Sequence, residues 1–131
     1  MAERAEFKSG FRQAREPVVI GMAGAGRACE LHVNALKRVS DLHLRFKLVA
    51  ARRPQQAEAA AHQHGFEHWT LDFGELLADP EIDVIDVCTP PYVHEEMMLA
   101  ALAAGKHVIC EKPLTGYFGE SEDDLPIGLK V

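Results

Sequence analysis

The residues best placed to do chemistry lie in two short stretches. The first, VVIGMAGAGRACE (Val18 to Glu30), runs from apolar residues into glycines at 24 and 26 and reaches Cys29 three residues later. A strand, a tight glycine turn and a helix start together form an anion site. The first turn of a helix offers N–H groups without intrahelical partners and a partial positive charge. Gly24 permits the turn, Gly26 lets a pyrophosphate approach the backbone, and Cys29 occupies the third position of a G-x-G-x-x-G pattern. That third position governs how closely the helix packs on the strand, and cysteine is a small, slightly bulkier occupant. The candidate phosphate contacts are Gly24, Ala25, Gly26, Arg27 and Ala28, with a purely structural glycine turn as the alternative.

The second stretch, LVAARRPQQ, ends a second apolar run. A dinucleotide site that prefers NAD places an acidic residue there to bond the ribose hydroxyls. This chain has Ala51 followed by Arg52 and Arg53. Two guanidinium groups stand where a 2′-phosphate would lie, and an arginine fork donates two parallel hydrogen bonds to phosphate. The expected cofactor is NADP or NAD, with NADP favoured. Two solvated arginines ahead of a helix are the alternative.

Both stretches need a scaffold of strands and helices in alternation, and the sequence supplies one. Residues 17–23 form a continuous apolar run, as in a strand buried on both faces, and helical spacing of apolar residues follows from Gly26 to Val39. A strand is predicted over 46–51 and an alanine-rich helix over 54–65, opened by Pro54 and closed by Gly65. A short strand over 67–69 precedes a helix over 72–79, with Asp72 as N-cap and Glu75 completing a capping box. Strands over 83–89 and 107–111 flank a helix over 94–105. This alternation predicts an α/β fold, a doubly wound parallel sheet of about five to six strands. Residues 1–16 are expected to be a leader, with Phe7 and Phe11 four apart. Residues 17–116 form the predicted domain, and 117–131 read as a loop or the start of a connection.

At 131 residues the chain fits one domain, and 47% hydrophobic residues are enough for a core. A net charge of −6 argues against nucleic-acid binding, and no apolar run is long enough to span a bilayer. Three cysteines (Cys29, Cys88 and Cys110) have no C-x-x-C spacing, and the N-terminus has no secretory apolar core, so reduced thiols and a cytoplasmic location are expected. Cys88 and Cys110 read as small buried hydrophobes. A helix start lowers a thiol pKa, but close packing would bury Cys29 and leave it inert. His62, His64 and His68 lack a completing ligand set, and residues two apart on a helix point in different directions, so no metal site is expected.

The linked motifs GAGRACELH, ELLADPEIDVIDVCTPPYVH and LAALAAGKHVICEKPLTG resemble the N-terminal domain of the Gfo/Idh/MocA family, named for glucose–fructose oxidoreductase, inositol dehydrogenase and rhizopine catabolism. The resemblance covers Val18 to Gly116. It implies a Rossmann domain of an NAD(P)-dependent oxidoreductase acting on sugars, cyclitols or related polyols. By motif, Lys112 matches the family's active-site lysine, and Pro113 matches a proline often held in a cis peptide. Glu111 would orient the lysine or the cofactor, and Thr89 and Pro90 match the turn lining the nicotinamide half of the cleft. Pro91 stands where the family often has asparagine, which removes an amide contact. His94 matches a histidine that opens the next helix, with a cap or packing role as open as a cofactor contact. His32 matches the histidine late in the first motif, with a structural role favoured over direct chemistry. Trp69 reads as a packing residue, with lining of the adenine side as the alternative.

The resemblance implies a second domain holding further catalytic residues. The C-terminal substrate domain is expected to be absent from these 131 residues, with a fragment of a longer enzyme as the simplest account. A non-catalytic dinucleotide-binding sensor or regulatory module is the alternative; the retained Lys112 favours the enzyme. The small-molecule substrate would be sugar- or polyol-like. Surface left without its partner domain predicts self-association, a homo-oligomer.

Overall fold

Apolar runs bounded by turn residues become strands, and the segments between them become helices. The computed structural model describes residues 17–115; the leader expected over 1–16 and the connection expected over 117–131 lie outside the described residues. The strands are β1 (Val18–Ala23), β2 (Leu44–Ala50), β3 (His68–Thr70), β4 (Val84–Val87) and β5 (His107–Cys110). The helices are α1 (Arg27–Leu36), α2 (Pro54–His64), α3 (Phe73–Ala78) and α4 (His94–Ala103), with one 3-10 turn over Pro91–Val93. All described strand pairs are parallel, in the order β3-β2-β1-β4-β5. The order reverses beside β1, so a crevice opens between the loops that leave β1 and β4.

Strand alternation sorts the core into two layers. Val19, Leu48, Ala50, Ile85 and Val87 face α3 and α4, packing with Leu76, Ile82 and Ala101. Met22, Val49 and Cys88 face α1 and α2, packing with Cys29, Val33, Ala60, Ala61 and Phe66. Phe46 meets Phe66 edge to face at 5.4 Å, which closes the second layer beneath α2. The same parity carries Asp86 of β4 to the α1 side, where it is fully buried.

Element ends differ from the sequence expectation where side chains or turns intervene. α1 stops at Leu36 instead of Val39, because Arg38 and Val39 donate to the i−3 carbonyls of Ala35 and Leu36 and tighten the chain into a turn. β2 begins at Leu44, two residues early, because pairing with β1 starts at Val18 and Leu44. α2 ends as expected at Gly65, whose φ of 81° is the left-handed conformation glycine accepts. Asp72 caps α3 by accepting from the Gly74 N–H at 2.8 Å. The reciprocal half of the expected capping box is replaced: the Asp72 N–H donates to Thr70 Oγ1 at 3.0 Å.

Candidate functional site

The glycine turn is built by backbone contacts that leave no room for a side chain at residue 24. The Gly24 N–H donates to Ala50 O at 2.8 Å, and the Cys88 N–H donates to Ala23 O at 2.7 Å, which draws the loops after β1, β2 and β4 together. Gly24 has φ of 104°, and a Cβ there would lie 2.6 Å from Cys88 O. Any L-residue would therefore meet both backbone strain and a clash. Gly26 is different: a Cβ would meet no protein atom within 4 Å. Packing within the protein places no demand for glycine there, so the position is open to close approach from outside the chain.

Gly26 is the N-cap of α1, and no side chain caps this end. The helix start thus faces a groove of about 390 Å³ lined by Gly24, Ala25, Gly26, Arg52, Thr89 and Pro90, together with Gln56, Leu71, Phe73 and Met97. Its volume suits a small-molecule ligand. Cys29, in the third glycine position, is fully buried against the second core layer. Burial first, then the Asp86 and Glu30 carboxylates, pushes its thiol up to about 11, so it is a packing group there.

Arg52 and Arg53 follow β2 at the groove's edge and form a second recess with Gln56. Arg52 Nη1 donates to Tyr92 Oη at 3.2 Å, and neither arginine pairs with a carboxylate among the described residues. The fit to a dinucleotide therefore rests on three features: an uncapped helix start, a glycine position that packing within the protein leaves open, and exposed guanidinium groups one loop away.

Lys112, Glu111, His94, Arg27, Ala28 and Trp69 do not line the groove. Lys112 is exposed directly beyond β5, and its backbone N–H donates to Glu111 Oε1 at 2.9 Å. The Lys112–Pro113 peptide is cis. His94 is buried, with Nδ1 2.6 Å from Pro113 O and Nε2 2.6 Å from Thr89 O. It bridges the turn after β4 to the segment after β5. Thr89 Oγ1 donates to Met97 Sδ at 3.5 Å. Arg27 pairs with Glu30 along α1 at 3.0 Å, and neither Arg27 nor Ala28 lines the groove. Trp69 is half-exposed outside the groove; Leu71, two residues on, lines it.

The sequence did not single out the cluster that sits beneath the loop. His32 Nδ1 lies 2.8 and 2.9 Å from the two oxygens of Asp86, and Nε2 lies 2.9 Å from Glu111 Oε2. The Cys88 thiol donates to Asp86 Oδ1 at 3.3 Å and sits 3.3 Å from His32 Nδ1. Burial pulls the His32 pKa down, but the Glu111 and Asp86 carboxylates outweigh it and hold it above the ordinary 6.5. Burial pushes the Asp86 carboxyl up, against the pull of His32. His32 and the Lys112 N–H hold Glu111 below its usual range. Cys88, expected to be only a small hydrophobe, is thus also a hydrogen-bond donor. His32, Asp86 and Cys88 have ligand-type atoms within 4.8 Å of one another, and these atoms already satisfy one another by hydrogen bonding. The signal for this cluster lay in strand parity: Asp86 and Glu111 alternate onto the face that α1 covers.

Comparison with known proteins gives a consistent result. The family model described as "Oxidoreductase family, NAD-binding Rossmann fold", that of the Gfo/Idh/MocA group, matches residues 18–123. Levoglucosan dehydrogenase of Pseudarthrobacter phenanthrenivorans is 45% identical over 76 residues, covering 58% of this chain and 20% of its own length. Myo-inositol 2-dehydrogenase of Thermotoga maritima is 34% identical over 96 residues, covering 73% and 28%. Among solved structures, levoglucosan dehydrogenase in complex with NADH and levoglucosan superposes with a TM-score of 0.68 at 36% identity, covering 76% of this chain and 29% of that one. The chain spans less than a third of the length of the curated relatives it matches. Among the described residues, no helix is long and apolar enough to cross a membrane.

Proposed function

The chain belongs to the Gfo/Idh/MocA oxidoreductase family, and from that premise we propose that it is the nucleotide-binding domain of an NAD(P)-dependent oxidoreductase acting on a sugar, cyclitol or related polyol. The observation that carries this reading is the groove at the uncapped start of α1, where Gly24 is required by its backbone and Gly26 by no protein contact. Pyrophosphate would lie against the N–H groups at that helix start. Thr89 and Pro90 would border the nicotinamide half, and Arg52 and Arg53 the adenosine ribose. When bound, the nicotinamide supplies hydride chemistry. Lys112, beyond β5, would present its ammonium to the substrate oxygen and stabilise developing alkoxide charge.

The arginine pair and the missing acid after β2 support NADP over NAD, because nothing at Ala51 accepts from ribose hydroxyls. The relatives' named substrates, levoglucosan and inositol, support the polyol class. The domain division belongs to this reading: a leader over 1–16, the nucleotide domain over 17–116 and a connection over 117–131. So do a cytoplasmic location, supported by three free thiols, and self-association through exposed Leu99, Leu102 and Leu114. Calorimetric titration of the chain with NADPH and NADH is the direct test. Saturable binding of both, tighter for NADPH, is expected; absence of binding to either overturns the assignment, and equal affinities overturn the NADP preference. Sedimentation is expected to show a concentration-dependent dimer, and a monomer at all concentrations removes the self-association claim.

A further inference from the structure

The cluster beneath the glycine loop reaches Lys112 through a single residue. Glu111 uses its two oxygens in two directions: Oε2 accepts from His32 Nε2 at 2.9 Å, and Oε1 accepts the backbone N–H of Lys112 at 2.9 Å. On its other side His32 is held by the fully buried Asp86 at 2.8 Å. The Glu111 N–H is itself tied to Val87 O at 3.0 Å. A chain of contacts therefore runs from the centre of the sheet, through α1, to the backbone of the lysine.

We propose that His32 is a positioning residue: by bridging Asp86 and Glu111 it locks the Glu111 carboxylate onto the Lys112 backbone and so fixes the direction in which the lysine leaves the sheet. The inference rests on Lys112 being the active-site lysine of the proposed function. The chemistry of the ring explains why the lock depends on protonation. Both ring nitrogens face carboxylates, so only the imidazolium donates on both sides. A neutral ring that keeps its proton on Nδ1 turns a lone pair toward Glu111. The carboxylate then loses its partner and is free to rotate toward the neighbouring ammonium of Lys112. The titratable groups facing His32 are Asp86 on β4, Cys88 just beyond it and Glu111 beyond β5. The Glu111 and Asp86 carboxylates favour the imidazolium, so the lock stays closed to a higher pH than an ordinary histidine would allow.

Nuclear magnetic resonance on the chain tests this directly. The His32 ring and the Lys112 backbone amide are followed from pH 5 to 9, and the Gly24 and Gly26 amides are followed on addition of NADH. Lys112 is expected to shift with the same midpoint as His32. His32→Gln retains an N–H donor without titrating, so it is expected to abolish the Lys112 shift and hold that resonance near its low-pH position. Glu111→Gln is expected to lower the His32 midpoint. A Lys112 amide indifferent to His32 titration in the wild-type chain overturns the lock without any need for a folded variant. Failure of NADH to move Gly24 and Gly26 overturns the cofactor assignment on which the lysine's role depends, and that outcome is read separately from the pH coupling.

Discussion

At the amino ends of the strands, Arg45 donates to Glu67 at 2.7 Å and to Glu81 at 2.6 Å, and Lys47 pairs with Asp79 at 2.6 Å. At the carboxyl ends, Arg52 and Arg53 meet no carboxylate among the described residues, α1 starts without a capping side chain, and Lys112 projects into solvent. Charge at the first end is cancelled within the chain, which links β2 to the segments before β3 and β4. At the second end the Arg52 and Arg53 guanidinium groups are not cancelled by a carboxylate among the described residues. Parallel sheets gather all strand carboxyl ends on one side, so a ligand that spans several loops can be met only there. The amino end is free to be spent on stability.

Gly24→Val has the largest expected effect on this contrast. The new side chain collides with the Cys88 carbonyl at a positive φ, so NADH binding is expected to vanish in calorimetry and stability to fall by about 2 kcal/mol or more in denaturant unfolding. Gly26→Ala, with open space around the Cβ, is expected to leave the unfolding midpoint nearly unchanged while weakening NADH binding. A Gly26→Ala chain that binds NADH as tightly as wild type breaks the claim that the carboxyl end is shaped for a ligand.

His32 gives the next effect, in pH dependence. Its folded pKa is raised, so its stabilisation is complete below the ordinary 6.5 and declines as pH rises through the folded value. The difference in Tm between wild type and His32→Gln is therefore expected to be greatest near pH 6 and to shrink toward pH 9. A difference that grows with pH contradicts the assigned sign. Arg52→Ala with Arg53→Ala is expected to weaken NADPH binding about tenfold and to leave NADH binding nearly unchanged. Equal losses for both cofactors mean that the arginines act only on the loop. Lys47→Met should change least: a loss of about 1 kcal/mol at most, with no change in affinity for either cofactor. Altered NADH affinity in that variant would show that the two ends are not independent.

Much of the fold is legible in short-range pattern. Apolar runs of strand length and helices punctuated by Pro54, Gly65 and Gly105 need only local conformational preference, and each appears within a few residues of its expected place. Gly24, Gly26, Arg52, Thr89 and Pro90 converge on one groove because strand ends in a parallel sheet are brought together by topology. Leu71 and Met97 carry no motif, so their share of the groove follows only from where the chain passes. The Arg52–Tyr92 contact joins residues 40 apart in sequence, and no local rule predicts it.

The sequence by itself determined the alternating α/β pattern, the position of the glycine loop and the absence of an acid after β2, because each depends on neighbours along the chain. Tertiary structure alone decided that Asp86, Cys88 and Glu111 meet His32. Strand parity turns all three side chains toward α1, and pairing of β4 with β1 and β5 sets their depth beneath the loop. It also decided that His94 serves two carbonyl oxygens instead of the groove. Hydrogen bonds need atoms within about 3 Å, and only the packed sheet brings residues 54 and 79 positions apart to that distance.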